Sequence, residues 1–320
     1  MKLTSSNRRI IVAAMSCATA LLTLSACSGS NDDGGTQAAA GGKFTIAGKV
    51  VQQDAALHKL LPDAVKKSGI VRVATDIPYP PFEMYTAAGS TTMTGLDYDL
   101  GQALGAKLGV RFTFSAQKFD GIVPALQAGK FDVAMSAMTD NKARQQVVDF
   151  VDYTHSGSGI MVADGNPEKI TTLDDLCGRK IAVQAATNQL KLLTAHQATC
   201  ARSGRGKADI QTFPKDSDAQ LALRSGKVVA DVLTQPAAGW TARTADGGKA
   251  FDLVEDPKAP GGYNPSPNGI AVSKRLPELT GAIQKALQAL IDDGTLTKIC
   301  DRYGVGSIAV DKATRNAAVD

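Results

Sequence analysis

The chain has 320 residues, 43% of them hydrophobic and 21% charged, which is enough ordinary globular sequence for one large domain or two modest ones. Its formal net charge is +4, from 35 Lys and Arg against 31 Asp and Glu. Three basic residues lie in an N-terminal segment that we expect to be removed, which leaves 32 against 31. Without a basic surplus, the electrostatic attraction that drives nucleic-acid binding is missing.

The first 26 residues have the three parts of a secretory signal peptide. Basic residues precede an apolar run, residues 10–24, that is too short to span a bilayer, which takes about 20 residues. Leu24-Ser25-Ala26-Cys27 resembles the lipobox of bacterial lipoproteins, in which the cysteine is lipidated and becomes the mature amino terminus. We therefore predict lipidation at Cys27 and a protein anchored to the cell membrane, outside the cytoplasm. The alternative is an ordinary signal peptide cut near Ala26.

The other cysteines favour one disulfide. Removal of Cys17 with the signal and lipidation of Cys27 leave three cysteines in a compartment that permits disulfides. We predict that Cys177 pairs with Cys200, because both fall in one predicted lobe, and that Cys300 is a buried free thiol. The alternative is three reduced cysteines in the core.

Residues 27–53 are predicted to form a lipidated flexible tether, because residues 28–43 are rich in small and polar residues without apolar periodicity. Asp54 can cap a helix whose apolar residues continue to Val65. Strands and helices then alternate. We predict strands at 70–75, 110–114 and 132–135, and helices at 97–107 and 119–128.

The same alternation returns in the second half of the chain. The predicted strands are 180–183, 209–212 and 228–233, the predicted helices are 188–199 and 217–224, and a helix at 276–291 closes the fold. Such repetition is typical of parallel sheets covered by helices. The glycine-rich residues 156–159 separate the two runs, so we predict two α/β lobes.

Common catalytic patterns are missing. The three histidines do not form an HExxH pattern, and the sequence has neither a GxSxG elbow nor a GxxxxGK[ST] loop. His155 beside Ser156 is a poor base and nucleophile pair, because adjacent residues on an extended stretch point to opposite sides. We expect no metal site and no cofactor.

A proline-rich loop, residues 76–83, follows the first predicted strand. Open α/β sheets bind ligands at the carboxyl ends of their strands, and a stiff loop there can hold Asp76 and Tyr79 ready for a ligand. The alternative is that Tyr79 and Phe82 pack into the core.

A second candidate segment, residues 136–144, leaves a strand and enters a helix. Asp140 is a plausible N-cap, and Arg144 one turn later can grip a carboxylate through two hydrogen bonds. The alternative is an exposed ion pair between these two residues.

These segments together resemble the bacterial extracellular solute-binding proteins of family 3, which serve ABC importers for polar amino acids. The matching stretches are residues 75–83, 95–100, 119–126, 129–133 and 139–150, in family order. Looser matches at 173–184 and 294–296 extend the resemblance from about residue 71 to residue 304.

The resemblance implies an α/β fold of the periplasmic-binding-protein-like type II class, with two lobes joined by a hinge. The implied first lobe is residues 54–154 and 263–310, the second lobe is 155–262, and 311–320 is a C-terminal tail. The lobes of this family close on a solute, and a membrane permease recognises the closed form. We expect a monomer without enzymatic activity; a lipoprotein solute sensor and, less favoured, a cyclohexadienyl dehydratase-like enzyme are the alternatives.

By position in the family pattern, Tyr79 and Phe119 would sandwich the ligand and Arg144 would clamp its carboxylate. The remaining implied ligand-binding residues are Asp76 at the variable end, Ser136, Ala137 and Thr139 in the first lobe, and Gln184, Thr187, Asn188 and Thr234 in the second. Two departures from the pattern matter. Ala186 stands where many relatives have glycine, and Thr234 stands where an aspartate commonly binds the α-ammonium, so either another acid such as Asp231 replaces it or the ligand lacks a simple α-amino group.

Overall fold

A computed structural model describes residues 44–318 of the chain. The predicted signal peptide, Cys27 and most of the predicted tether lie outside that range. Within it, no helix combines the length and the apolar character needed to cross a bilayer.

Strands and helices alternate along the described residues, as predicted. The strands are β1 (Phe44–Ile46), β2 (Lys49–Val51), β3 (Ile70–Thr75), β4 (Met84–Tyr85), β5 (Met93–Thr94), β6 (Arg111–Ala116), β7 (Val133–Ala134), β8 (Val148–Ala163), β9 (Lys180–Gln184), β10 (Asp209–Phe213), β11 (Ala230–Thr234), β12 (Phe251–Leu253), β13 (Tyr263–Ser273) and β14 (Ala309–Arg315). The helices are α1 (Ala55–Lys59), α2 (Asp63–Ser68), α3 (Leu96–Leu108), α4 (Phe119–Gln127), α5 (Lys142–Gln145), α6 (Asn188–Arg202), α7 (Asp216–Arg224), α8 (Gln235–Thr244), α9 (Pro277–Asp292) and α10 (Thr295–Arg302).

One mixed sheet of ten strands runs through both lobes, in the order β10-β9-β11-β8-β13-β7-β3-β6, with β12 and β14 also paired to β8. The first lobe contains β1–β7, α1–α5, α9, α10 and β14; the second contains β9–β12 and α6–α8. β3 pairs in parallel with β6 and β7, and β9 pairs in parallel with β10 and β11. The predicted two-lobed α/β fold is confirmed.

The two long antiparallel strands β8 and β13 connect the lobes. β8 has β13 and β14 as neighbours at residues 151–154, and β11 and β12 at residues 161–162. Between these stretches, over residues 155–157, β13 is its only strand partner among the described residues. A Cβ on Gly157 would overlap the backbone of Gly262, so glycine is required where these strands pass. The sheet therefore narrows to two strands at the predicted hinge, while the predicted lobe boundaries remain predictions.

Each lobe has its own apolar core. In α9, buried Leu279, Ile283, Leu287 and Leu290 recur at three- and four-residue spacing and pack in the first-lobe core. In the second lobe, alternate residues of β9 and β11, including Ile181, Val183 and Val232, pack with Leu193 of α6.

The N-terminal part of the described residues differs from the prediction. β1 and β2 form an antiparallel hairpin inside the predicted tether, with Ile46 and Val51 buried in the first-lobe core. Asp54 caps a helix as predicted, accepting from the backbone N–H groups of residues 56 and 57. The single helix predicted after it is instead two, because Pro62 starts a second helix where the first has ended.

The C-terminal segment also differs. Residues 311–315, assigned to a tail by the sequence, belong to β14, which pairs with β8. Beyond it, the Asn316 side chain accepts from the Phe150 N–H (2.8 Å) and donates to Asp149 Oδ1 (3.1 Å). The chain end is thus hydrogen-bonded to the connecting strand just before the hinge.

The predicted disulfide is present. Cys177 and Cys200 are bonded, with Cα atoms 5.2 Å apart, and Cys300 is a buried free thiol. The bridge joins the segment just before β9 to the last turn of α6.

We expect Asn316→Ala to lower the free energy of unfolding by about 1–3 kcal/mol, because it leaves the Phe150 N–H without its acceptor. Urea unfolding measures the loss. Asn264→Ala is the matched control, since Asn264 also has a left-handed backbone (φ 48° against 52° for Asn316) but an exposed side chain. Equal losses in the two variants would contradict a stabilising role for the Asn316 hydrogen bonds.

Candidate functional site

The fold brings all eleven predicted ligand-binding residues to one cavity where the two lobes meet. With the lobes in this arrangement the cavity has a volume of about 20 Å³, room for about one water molecule, so a solute can enter only when the lobes move apart. Its first-lobe wall contains Asp76, Tyr79, Phe119, Ser136, Ala137, Thr139 and Arg144, and its second-lobe wall contains Gln184, Thr187, Asn188 and Thr234. Glu83 and Gln189 also line it, and the sequence analysis selected neither. Ligand contact by these residues stays a prediction.

In the proline-rich loop after β3, one of the two aromatic residues considered above lies in the core and the other lines the cavity. Phe82 is fully buried in the first-lobe core, whereas Tyr79 is half-buried and lines the cavity. Backbone hydrogen bonds between Tyr79 and Glu83 close the loop, with Tyr79 N donating to Glu83 O at 2.6 Å. The loop thus fixes Tyr79 at the cavity and Phe82 below it.

Arg144 is placed by a cap that differs from the prediction. The N-cap of α5 is Asn141, whose side chain accepts from Arg144 N at 2.9 Å, rather than Asp140. The Arg144 guanidinium donates to the carbonyl oxygens of Thr139 (2.7 Å) and Ala186 (2.9 Å) and lies 5.3 Å from the centroid of the Phe119 ring. A cation is therefore held against the aromatic wall of the cavity.

The second-lobe wall includes the amino terminus of α6. Thr187 caps this helix, accepting from Leu190 N and donating to the Gln184 carbonyl at 2.7 Å. Because α6 has fifteen residues, the positive end of its dipole and its first N–H groups favour an anion at this wall. Ala186 has a φ of 62°, a left-handed conformation that glycine adopts more readily, in line with the restriction inferred from the sequence.

Direct hydrogen bonds join the lobes across the cavity. Tyr79 Oη lies 3.0 Å from Thr234 Oγ1 and accepts from Thr234 N, also at 3.0 Å. Gln184 Nε2 donates to Asp76 Oδ2 at 2.6 Å, and Asn141 Nδ2 donates to the side-chain oxygen of Asn188 at 2.8 Å. The lobes are therefore closed on each other, and opening must break these bonds together with the one from Arg144 to Ala186.

Two acidic side chains support the first-lobe wall from below. Asp97 Oδ1 accepts from the Tyr153 hydroxyl at 2.6 Å and Oδ2 from Ala137 N at 2.8 Å, while Glu83 Oε1 accepts from the Ser136 hydroxyl at 2.6 Å. Burial raises the pKa of Asp97 to about 6 and that of Glu83 well above its ordinary value. Glu83 Oε2 is buried without a hydrogen-bond partner among the described residues, and the nearby Asp97 carboxylate also raises the Glu83 pKa, which favours the neutral form of Glu83.

This pair holds the cavity backbone in an uncommon shape. Ala137 has a φ of 44°, which costs an alanine energy, and its N–H is fixed by the Asp97 carboxylate. Sequence reasoning missed both acids. Asp97 lies in one of the family-like stretches, and Glu83 ends the proline-rich loop. Only the folded structure shows that these two acids are close to each other, so the sequence alone offered no reason to select them.

Asp231 does not replace the acid missing at Thr234. It is fully buried outside the cavity lining, and neither of its carboxylate oxygens has a hydrogen-bond partner within residues 44–318. Burial, followed by repulsion from Asp216, raises the pKa of Asp231 well above its ordinary value, and burial raises that of Asp216 to about 7. Ionisation of these two acids under the second-lobe wall therefore destabilises the folded protein.

The pH dependence of stability follows from these shifts. Because the pKa values of Asp97, Asp216 and Asp231 are raised in the folded protein, the folded state binds more protons than the unfolded state above about pH 4. We expect the free energy of unfolding to fall as the pH rises from 4 through 7. Asp231→Asn should match the wild type near pH 4 and exceed it by roughly 2 kcal/mol or more at pH 8.

Chemical denaturation across this pH range measures the effect, with Asp311→Asn as the control at an exposed position. A wild type that is more stable at pH 8 than at pH 5, or an Asp231→Asn variant without a pH-dependent gain, would contradict the assignment.

Comparison with known proteins gives one family. The family described as bacterial extracellular solute-binding proteins, family 3, matches residues 71–306. The chain is 28% identical to the arginine-binding protein ArgT of Corynebacterium glutamicum over 261 residues, covering 81% of this chain and 82% of that protein. It is 29% identical to the lysine/arginine/ornithine-binding periplasmic protein of Escherichia coli over 235 residues, covering 73% and 86%.

Solved structures give the same fold. An ancestral arginine-binding protein bound to arginine is 34% identical with a TM-score of 0.62, covering 74% of this chain and 98% of that chain. The ancestral amino acid-binding protein AncCDT-1, described as a precursor of cyclohexadienyl dehydratase, is 33% identical with a TM-score of 0.63, covering 77% and 98%.

Proposed function

The chain belongs to the bacterial extracellular solute-binding proteins of family 3, and on that premise we propose that it captures a polar amino acid outside the cytoplasm and delivers it to an ABC permease. The observation that carries the proposal is the charge pattern of the interlobe cavity. Arg144 and the amino terminus of α6 favour a carboxylate, and Asp76 supplies an acid to the same cavity. This arrangement is complementary to a zwitterion.

We further propose that the preferred ligand carries a cationic side chain. The raised pKa of Glu83 favours its neutral form and Thr234 carries no charge, which leaves Asp76 as the carboxylate available to a cation in the cavity wall. Burial raises the pKa of Asp76, and a ligand cation would relieve that cost. The names of the arginine- and lysine-binding relatives support the same class.

In this proposal the ligand lies between the Tyr79 and Phe119 rings, with its α-carboxylate on Arg144 and its side-chain cation on Asp76. Thr234 offers its α-ammonium a hydroxyl in place of a carboxylate, so the α-ammonium contributes less to affinity than the side-chain cation. The family-like hinge motion would close the lobes on the ligand and exclude water, which strengthens each polar contact.

Calorimetric titration tests the ligand class. We expect Asp76→Asn to weaken arginine binding on the order of 100-fold, because the ligand cation loses its buried partner, and to change glutamine binding less than tenfold. Asp164→Asn, at an exposed position, is the control. N-acetylarginine should bind nearly as well as arginine if Thr234 contributes little to α-ammonium recognition. Equal losses for arginine and glutamine would contradict the role of Asp76, and no binding of any amino acid would overturn the proposed function.

We infer that the chain is not an enzyme. Dehydration of prephenate or arogenate needs a general acid facing the substrate. Glu83 is the cavity-lining carboxyl with a strongly raised pKa, but its Oε1 already accepts from the Ser136 hydroxyl and its Oε2 is buried. Formation of phenylpyruvate from prephenate by the purified protein would overturn this inference.

A sensor role differs from transport only in the partner, and loss of uptake after deletion of an adjacent permease gene separates the two.

The proposed anchor is a lipid on Cys27, which lies outside the described residues. It keeps the binding protein near its membrane permease, and residues 28–43 leave it room to dock.

We expect Cys27→Ala to move the protein from the membrane fraction to the soluble extracytoplasmic fraction and to abolish labelling by a fatty-acid analogue, since one residue carries the anchor. Cys17→Ala is the matched control and should leave both unchanged, because Cys17 is removed with the signal. Immunoblotting of fractions and labelling of growing cells measure the result. Membrane retention of the Cys27→Ala protein would contradict lipidation at this position.

A further inference from the structure

The disulfide of the second lobe lies within a group of potential metal ligands. The Sγ atoms of Cys177 and Cys200 and a ring nitrogen of His196 all lie within 4.8 Å of one another. His196 Nε2 is buried and has no hydrogen-bond partner among the described residues, although Asp174 Oδ1 lies 3.0 Å from it. Two sulfurs and an imidazole therefore converge on one place away from the cavity-lining residues, and the Asp174 carboxylate lies beside the imidazole, outside that group.

Local structure explains the convergence. His196 and Cys200 are four residues apart on α6 and so share one face of the helix. Asp174 and Cys177 lie in and just after a short 3-10 turn, Leu173–Leu176, that a capping box between Thr172 and Asp175 fixes in place. We expected no metal site from the sequence, because the histidines form no HExxH pattern and do not lie near a cysteine at metal-ligand spacing. In the folded lobe, α6 nevertheless places His196 and Cys200 on one face.

We propose that the reduced form of this lobe binds a thiophilic divalent ion of the zinc class through Cys177, Cys200 and His196, with Asp174 as the fourth ligand. A dithiol reductant opens the bridge by exchange, and its own two sulfurs become the disulfide while Cys177 and Cys200 become thiols. The ion then displaces the two thiol protons and bonds to both sulfurs and to His196. Ligands of this kind, in this number, are those of tetrahedral zinc sites.

The geometry needs little rearrangement. Zinc bonded to two sulfurs at about 2.3 Å in a tetrahedral site sets the sulfurs roughly 3.8 Å apart. The Cα atoms of the pair are 5.2 Å apart, so side-chain rotation provides that separation without moving α6 from the turn. Both cysteines are buried, with 7% and 1% of their surface exposed, while the Asp174 side chain is 60% exposed and marks the side from which an ion can enter. The site would thus join the turn to α6 in either redox state.

The test uses Co²⁺ as an optical probe on the purified protein, reduced by a phosphine under anaerobic conditions and compared with the oxidised protein. The expected result is one Co²⁺ per reduced chain, with the absorption of tetrahedral thiolate coordination, and no such absorption for the oxidised protein. His196→Ala should weaken Co²⁺ affinity by at least about tenfold, and Asp174→Asn by less. His155→Ala, at an exposed position in β8, is the matched control and should bind as the wild type.

Alkylation of the cysteines in the wild type gives a second test of metal binding that does not depend on the variants. Zn²⁺ should protect Cys177 and Cys200, but not Cys300, from alkylation in the reduced wild type, as read by peptide mass spectrometry. Absence of tetrahedral absorption, equal affinity of the His196→Ala and His155→Ala proteins, or protection of Cys300 instead would each overturn the proposal. Amino-acid titration of the same sample reports the proposed solute function separately, since this inference does not depend on it.

Discussion

The buried carboxylate of Asp97 connects the parts of the first lobe that the cavity requires. From the first turn of α3 it accepts hydrogen bonds from Tyr153 in the connecting strand β8 and from the backbone of Ala137 in the cavity wall. The Asp97 carboxylate thus joins α3 to the connecting strand and to the cavity wall. Each of the two donors offsets part of the free-energy cost of burying this carboxylate.

This arrangement concentrates acidic groups around the cavity. Glu83 and Asp97 lie under the first-lobe wall, and Asp216 and Asp231 under the second. All four have raised pKa values, with burial as the first cause in each case. A raised pKa favours the neutral form of each acid, so these groups add less negative charge to the cavity than their number suggests. A cation in the cavity would favour their ionised forms, whereas a ligand anion finds favourable partners at Arg144 and the α6 terminus.

Much of the fold could be predicted from local sequence patterns, and the misses have physical reasons. β3 agrees with the prediction over its whole length, because Gly69 precedes a short apolar run, and α4 begins at the predicted residue Phe119. The strands β8 and β13 were not predicted as strands, since their length and pairing depend on contacts made by residues more than a hundred positions apart. At residues 156–159, glycine and serine signal a loop, yet the backbone stays extended because β13, β11 and the Gly261 carbonyl pair with it.

The candidate cavity was predictable residue by residue through family resemblance, and much less through spacing. The spacing of Asp140 and Arg144 by itself favoured a surface ion pair between them. The helix that carries Arg144 is capped by Asn141, not by the predicted Asp140. The supporting acids Glu83 and Asp97 escaped prediction because their interaction exists only after α3 packs under the loop.

The narrowing of the sheet at residues 155–157 has a mechanical consequence. The sheet is several strands wide on either side, which makes each lobe stiff, and a two-strand ribbon between the lobes bends and twists far more easily. The added β14 strand extends the stiff region to residue 154, so the C-terminal segment determines where flexure starts. In a chain lacking that strand, the flexible two-strand ribbon would be longer, and the axis about which the lobes rotate would lie nearer the first lobe. The two lobes would then meet at a different angle.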